Sequence, residues 1–457
     1  MDTVQAYRDH VMQCWSAQQD YQPVEVEHTE GCWIHTKDGR KVFDLRSAHE
    51  CINLGFNHPK VVQAIKTALN RPVYVTDDFA TEATAKLAQR LSELMPGSDK
   101  KKIWFGQSGA AAVEAAVKAA RFFKYNRLIT DGPGSLDAGK QYPYPYKIIS
   151  RYRSWHGGTV GSSSVSGDPR RWFTEPLTQP GTVFAPDAYA YRSVFGDDPD
   201  GMKSARYLRY MVEMEGGSGS VAAVILEPVV GSNGVIPAPP EYMKELRQIC
   251  DDYDLLLIAD ETMTGMGRTG SFLAIDHYDI EPDIIIMGKA LGVYVPMSAC
   301  IMNEKVAATF DGHIFGHGQS YSGHALGSAA ALASIEVLME EVMPGLAEKS
   351  AYLEQKLHQL MQKHTCVGEV RGLGMMWTLE LVQDRESKTA FRDFTQKYDA
   401  TPVKKLSEYL LREEDIYVPG DKFGLWVVPP LVVSKEEIDW LTEGLSRGLE
   451  KLDNQKW

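Results

Sequence analysis

Between residues 60 and 330 the chain repeats one pattern, a short unbroken apolar run followed by an amphipathic helical stretch. The runs cover 102–105, 147–150, 221–226, 255–259 and 283–287. A strand with one wet face alternates polar and apolar residues, so unbroken runs of this length fit strands covered on both faces. The stretches between them, 110–123 and 241–254 among them, carry helical periodicity. This alternation implies an α/β fold with a mostly parallel sheet between helices. After residue 330 the pattern changes to long helices at 346–363, 403–413 and 435–452 around strand-like pieces at 375–381 and 425–428, which reads as a smaller α+β domain. In residues 1–60, the segments 31–35 and 41–45 flank an Asp38-Gly39 turn and form a hairpin that needs another surface to pack on. The expected organisation is a large domain at 61–330 and a small domain at 331–457, with 1–60 packed on the small one.

Composition removes several classes of function. With 48 basic and 61 acidic residues the net charge is −13, which opposes sequence-independent binding to nucleic acid or an anionic membrane. The longest apolar candidate, 327–339, contains Glu336 and falls short of the roughly 18 residues that a membrane span requires. The first ten residues have neither the basic start nor the apolar run of a secretory signal. The six cysteines include no C-x-x-C pair and no zinc spacing, so reduced thiols in a cytoplasmic protein and no metal site are expected.

In a doubly wound sheet, ligands lie beyond the carboxyl ends of the strands, so the residues after each apolar run are the candidates for a site. Phe105-Gly106-Gln107-Ser108-Gly109-Ala110 opens an alanine-rich helix, where small residues let backbone N–H groups approach a phosphate. Ser108 serves equally well as a plain helix cap. Asp260 and Glu261 end a buried run, and a buried carboxylate must be paired with a metal, a cationic ring or backbone N–H groups. Lys289 stands between Gly288 and Gly292 after another run. Desolvation there lowers a lysine pKa toward nucleophilic chemistry, whereas a lysine that snorkels to the surface is the bland alternative. Trp155, in Arg153-Ser154-Trp155-His156-Gly157-Gly158, suits either a planar ligand or the core. Residues 265–270 spell G-x-G-x-x-G, but the following residues lack helical periodicity and Lys289 stands where an acid is required, so a nicotinamide dehydrogenase is rejected.

In order along the chain, the Asp38-Gly39 hairpin, Leu54-Gly55-Phe56-Asn57-His58-Pro59, Ser108-Gly109-Ala110, Trp155-His156-Gly157, Glu227-Pro228, Asp260-Glu261, Gly267-Arg268-Thr269-Gly270, Gly288-Lys289, Tyr321-Ser322-Gly323-His324 and Val370-Arg371-Gly372-Leu373-Gly374 resemble the class III, ornithine-aminotransferase-like family. These are pyridoxal 5'-phosphate (PLP) enzymes of fold type I. The resemblance implies a large, mostly parallel seven-stranded sheet sandwiched by helices. It implies that Lys289 carries the cofactor as a Schiff base and that Asp260 pairs with the ring nitrogen. Ser108, Gly109 and Ala110 would hold the phosphate, Trp155 would stack on the ring beside His156, and Thr262 would touch the other ring face. Glu227 would stand one layer behind. Ser320 would reach the phosphate of a neighbouring subunit, which implies a homodimer or tetramer with shared active sites.

The reaction implied is transfer of an amino group from a small-molecule amine donor to a keto acid or aldehyde acceptor. Many relatives clamp the substrate carboxylate with an arginine in a Leu-Arg-x-x-Pro-Pro pattern, where this chain has Leu425-Trp426-Val427-Val428-Pro429-Pro430. Trp426 is thereby a candidate substrate residue, and the bidentate clamp is lost. A second upstream arginine is missing from Ile416-Tyr417-Val418-Pro419-Gly420. The segments 151–159 and 167–172 look most like the taurine, ω-amino acid and amine–pyruvate branch. Arg153, Arg170 or Lys422 could reach an anionic donor group, or could serve as surface charges or subunit contacts. The expected activity is a transaminase moving an amino group from a taurine-like, β-alanine-like or simple amine to pyruvate or a related carbonyl. An aminomutase, racemase or decarboxylase of the same family is the alternative, followed by an idle PLP-fold binding protein.

Overall fold

The computed structural model describes residues 2–131, 144–391, 402–418, 420 and 424–454. Seven strands form the main sheet in the order Lys102–Gly106, Ser298–Met302, Ile284–Met287, Leu256–Asp260, Val221–Leu226, Lys147–Arg151 and Thr182–Ala185. Ser298–Met302 runs antiparallel to both its neighbours, and the remaining adjacent pairs are parallel. The sheet is buried on both faces, which is why its strands read as unbroken apolar runs. Ile284 and Ile286 belong to one buried cluster while Ile285 and Met287 belong to the other. On the first face lies the helix Gly109–Asp131, whose Ala112, Ala115, Ala116, Ala119 and Ala120 are fully buried and let its backbone approach the strands closely.

Two of the seven strands, Thr182–Ala185 and Ser298–Met302, were not expected from the apolar runs. Thr182–Ala185 is a half-exposed edge strand, and Ser298-Ala299-Cys300-Ile301-Met302 contains a single β-branched residue.

Val26–Glu30, Trp33–Thr36 and Lys41–Asp44 form an antiparallel ribbon that Ile416–Tyr417 extends in parallel. Phe43 N–H donates to the Asp415 carbonyl (2.8 Å) and Leu45 N–H to that of Tyr417 (3.1 Å), while the Trp33 ring meets Trp440 at 5.1 Å. Nearby, Val367–Leu373, Met376–Asp384 and Gly424–Val427 pair antiparallel among the helices Met343–Lys363, Pro402–Glu413 and Lys435–Asp453. These segments are tied to the main sheet by Arg268, which is fully buried and donates to the carbonyls of Met375 (3.1 Å) and Pro429, to Ser47 Oγ (3.3 Å) and to Asn53 Oδ1. Residues 265–270 are turns that open no α-helix, so the glycine pattern around Arg268 lacks the geometry of a dinucleotide fingerprint. Among the described residues no helix is long and apolar enough to cross a membrane, and no cluster of three metal-type ligands occurs.

Candidate active site

Parallel strands deliver their next residues to one edge, and here that edge holds the chemistry. Asp260 ends its strand, Glu227 follows Val221–Leu226, Trp155 and His156 follow Lys147–Arg151, and Lys289 follows Ile284–Met287. Together with Gly109, Ala110 and Thr262 they line a cavity of about 170 Å³, which Gly157, Ser232 and Met263 complete.

Asp260 is 3% exposed. Its Oδ1 accepts the Thr262 N–H (3.0 Å), and its Oδ2 lies 2.7 Å from His156 Nδ1. The other ring nitrogen of His156 and the Thr262 hydroxyl are buried with no hydrogen-bond partner among the described residues. One layer back, Glu227 accepts the N–H groups of Trp155 (2.9 Å) and Gly231 (2.9 Å) and so holds both loops. Burial pushes its carboxyl up, His156 opposes that shift and Asp260 adds to it.

Trp155 is backed by Arg170, whose guanidinium carbon lies 3.6 Å from the ring centre. Arg170 is in turn gripped by both oxygens of Asp168 at 3.0 Å. Arg153 pairs with Asp187 at 3.2 Å. Both arginines therefore serve intramolecular contacts, not free surface charge, and Lys422 lies outside the described residues.

The helix Gly109–Asp131 points its N-terminus into the cavity. Ser108 Oγ accepts the Ala111 N–H (3.2 Å) and so caps the helix beside the cavity, which still leaves a hydroxyl proton that a phosphate could accept. The earlier N–H groups have no intrahelical partner, which makes this end an anion site. Glycine is required at 109, because a Cβ there would stand 2.7 Å from Thr262 Cγ2.

Lys289 Nζ donates to Glu50 Oε2 at 2.6 Å. Glu50 is 1% exposed, and its other oxygen accepts from Arg46 Nε at 3.1 Å. The Arg46 guanidinium lies 4.3 Å from the centre of the Trp426 ring. Burial alone would raise the Glu50 carboxyl, but Lys289 and Arg46 outweigh it and bring the pKa down to about 2. The turn that presents Glu50 is left-handed throughout, with φ of 50, 46, 60 and 61° at Ser47, Ala48, His49 and Glu50. Without a glycine, each such residue costs about 1–2 kcal/mol. Asp44 stabilises the turn by accepting the N–H groups of Arg46 (3.0 Å) and Ala48 (2.6 Å), and Ser47 Oγ donates to the Val428 carbonyl (2.6 Å).

The sequence missed Glu50 and Arg46. They lie 239 and 243 positions from Lys289, in a segment with no periodic or motif signal. Two expected residues stand apart from the cavity. Ser320 sits in an exposed loop where its carbonyl accepts from the Tyr74 hydroxyl. Trp426 is 3% exposed in a cluster with Met263 and Val428, so it backs the site instead of lining it. The reason is its place in Gly424–Val427, a strand fully buried against Met376–Asp384.

The residues present suit a phosphorylated pyridine aldehyde. A helix N-terminus receives the phosphate, Trp155 offers a ring face, Asp260 offers a charge for the ring nitrogen, and Lys289 offers an amine. The unpartnered His156 and Thr262 atoms point to a polar occupant.

Residues 15–449 match the model of the family described as aminotransferase class-III. An uncharacterized aminotransferase, y4uB, of Sinorhizobium fredii is 35% identical over 92% of this chain and 88% of its own length. The diaminobutyrate–2-oxoglutarate transaminase of Halomonas elongata is 33% identical over 92% of this chain and 89% of its own. The taurine:2-oxoglutarate aminotransferase of Bifidobacterium kashiwanohense, solved with PLP and glutamate, superposes with a TM-score of 0.89 at 29% identity, covering 99% of this chain and 97% of that one. With the strand order and the site geometry, these likenesses establish that the chain belongs to the class III aminotransferases, PLP-dependent enzymes of fold type I.

Proposed function

We propose that the cavity at the sheet edge binds PLP and transfers an amino group from an amine or ω-amino acid donor to pyruvate or a related carbonyl. The observation that carries this reading is the delivery of Lys289 and Asp260 to one cavity from adjacent strands. When bound, PLP supplies an aldehyde that condenses with amines and a protonated ring that takes up the electron pair left at the substrate carbon. Asp260 would place its charge at the ring nitrogen and keep it protonated, and His156 with the Thr262 N–H orients that carboxylate. Glu227 fixes the Trp155 loop, and the indole, backed by Arg170, would offer a face to the cofactor ring. The N–H groups of Gly109 and Ala110, at the positive end of the helix, would hold the phosphate. Lys289 Nζ, at the cavity wall, would be the amine that holds the cofactor and, when free, the general base placed to move the proton of the substrate carbon.

The donor class is supported by the lack of a guanidinium among the described lining residues and by Trp426 in place of an arginine. We further propose a dimer or larger assembly, in which the loop around Ser320 completes a neighbour's phosphate site. Phe79 and Ile314 support it, being apolar yet 69% and 89% exposed in the single chain. A sedimentation mass near 50.9 kDa would exclude it. The six unpaired cysteines support a cytoplasmic setting.

The test is the visible spectrum of the PLP-loaded protein, titrated separately with taurine, β-alanine, L-alanine and an aromatic amine. The reading expects one donor to shift the cofactor band and pyruvate to restore it, with a new carbonyl product equal in amount to aminated acceptor. A Lys289→Ala protein that still turned over would sink it.

A further inference from the structure

We propose that Glu50 selects the amine donor by charge, favouring donors whose non-reacting end carries a second cation, such as α,ω-diamines. This deepens the proposed function and rests on it. The two carboxylate oxygens of Glu50 have different partners. Oε1 accepts from Arg46, whose guanidinium is stacked on Trp426 and so is held in place, while Oε2 accepts from the Lys289 ammonium at 2.6 Å. Lys289 cannot serve Glu50 and the cofactor together. Once its amine is committed to the reaction, Oε2 is a buried anionic oxygen whose remaining need is a cationic donor.

The lysine ammonium itself shows what fits there, a primary alkylammonium on a flexible chain. The ionisable groups around Glu50 leave this demand in place. Asp44 spends both oxygens on the backbone of Arg46 and Ala48, and burial lowers the pKa of His49, with Arg46 adding to the effect. Burial raises the Cys51 thiol and the Tyr417 phenol, so neither brings a charge. The left-handed turn at 47–50 turns the Glu50 side chain toward Lys289, and strain of this kind concentrates at functional positions. A donor with a carboxylate or sulfonate tail meets Oε2 with repulsion, and one with an apolar tail leaves it unpaired, so within the proposed donor class the amines outrank the ω-amino acids.

Three donors of one chain length make the test: 1,5-diaminopentane, pentylamine and 5-aminopentanoate, compared by half-reaction kcat/KM on the PLP-loaded protein. The expected order is diamine, then monoamine, then amino acid, with the first two separated roughly ten- to a hundredfold, as for a charge-assisted hydrogen bond. Glu50→Gln reduces the diamine-to-monoamine ratio to about threefold or less by the same reasoning. Calorimetric binding of the three amines to PLP-loaded Lys289→Ala protein, which does not turn over, gives the same order without activity and without relying on the folding of the Glu50 variant. Equal binding of diamine and monoamine, or preference for 5-aminopentanoate, overturns the role of Glu50 while leaving the transaminase reading intact. Failure of every amine to shift the cofactor band, with the calorimetric order still obeyed, overturns the transaminase reading instead.

Discussion

Replacing Asp260 by Asn tests the reading of the site at its most sensitive atom. The two side chains have nearly the same shape, and Thr262 N–H can still donate to the amide oxygen as it does now to Oδ1 at 3.0 Å. The amide nitrogen then faces His156 Nδ1, 2.7 Å from the present Oδ2. Histidine accommodates this by moving its proton to Nε2, which has no partner among the described residues and so loses nothing. Folding should change by less than about 1 kcal/mol, because every hydrogen bond keeps a counterpart. What disappears is the negative charge facing the ring nitrogen. A contact ion pair at about 4 Å in an effective dielectric near 20 is worth about 4 kcal/mol. A loss of that size slows deprotonation of the substrate roughly a thousandfold. Stopped-flow measurement of the donor half-reaction, alongside a melting curve, separates the two effects. A variant that melts like the parent and reacts within tenfold of it would show that Asp260 does not face the ring nitrogen, and the assignment of every other cofactor contact would fall with it.

Gly109→Ala brings a Cβ to 2.7 Å from Thr262 Cγ2 at the phosphate end of the helix, and overpacking of about 1–3 kcal/mol weakens PLP binding roughly ten- to a hundredfold. A fluorescence titration with PLP reads this, and an unchanged Kd would place the phosphate elsewhere. Glu380, fully buried, accepts from the Tyr189 hydroxyl (2.6 Å) and Arg192 Nε (2.6 Å) and pairs with Arg371 (2.6 Å). Burial opposes its ionisation, but Arg371, Tyr189 and Arg192 together hold its pKa below the ordinary 4.5. Its contribution is thus complete above the unfolded value and lost as pH falls through the folded one, so Glu380→Gln costs about 3–5 kcal/mol at pH 7 and progressively less below about pH 4.5. Urea unfolding at pH 7 and pH 4 checks the sign, and a penalty that grew on acidification would refute it.

Much of this architecture is legible because burial on both faces of a parallel sheet leaves a plain mark, as in Ile284-Ile285-Ile286-Met287, where alternate residues feed opposite cores. The residue after such a run inherits a defined place, and so Asp260 and Lys289 could each be read as belonging to the carboxyl edge of the sheet, whereas their adjacency follows from the strand pairing. Ser298–Met302 escaped because its partners on both sides supply the pairing, and small residues such as Ser298 and Ala299 suffice between them. Ser108 shows a different limit, since a helix cap and a phosphate ligand demand the same residue type, and one hydroxyl that accepts from Ala111 can still donate outward.

Glu50 was invisible for a deeper reason. Its position depends on four successive residues in a conformation that none of them favours, imposed from outside by Asp44, by the Val428 carbonyl and by Arg268 at Ser47. Local propensity points away from that turn, and the contacts that impose it come from segments up to 381 positions away. A side chain that chooses among donors gains from this arrangement. The residues proposed to hold the cofactor sit on strand ends whose geometry the whole sheet dictates, so they change little without loss of the fold. The Glu50 turn lies outside that sheet and meets the site through the bond of Glu50 to Lys289. Substitutions there can redirect the substrate while Asp260, Thr262 and the helix N-terminus remain in register, which is the physical basis for expecting one scaffold to serve donors with different tails.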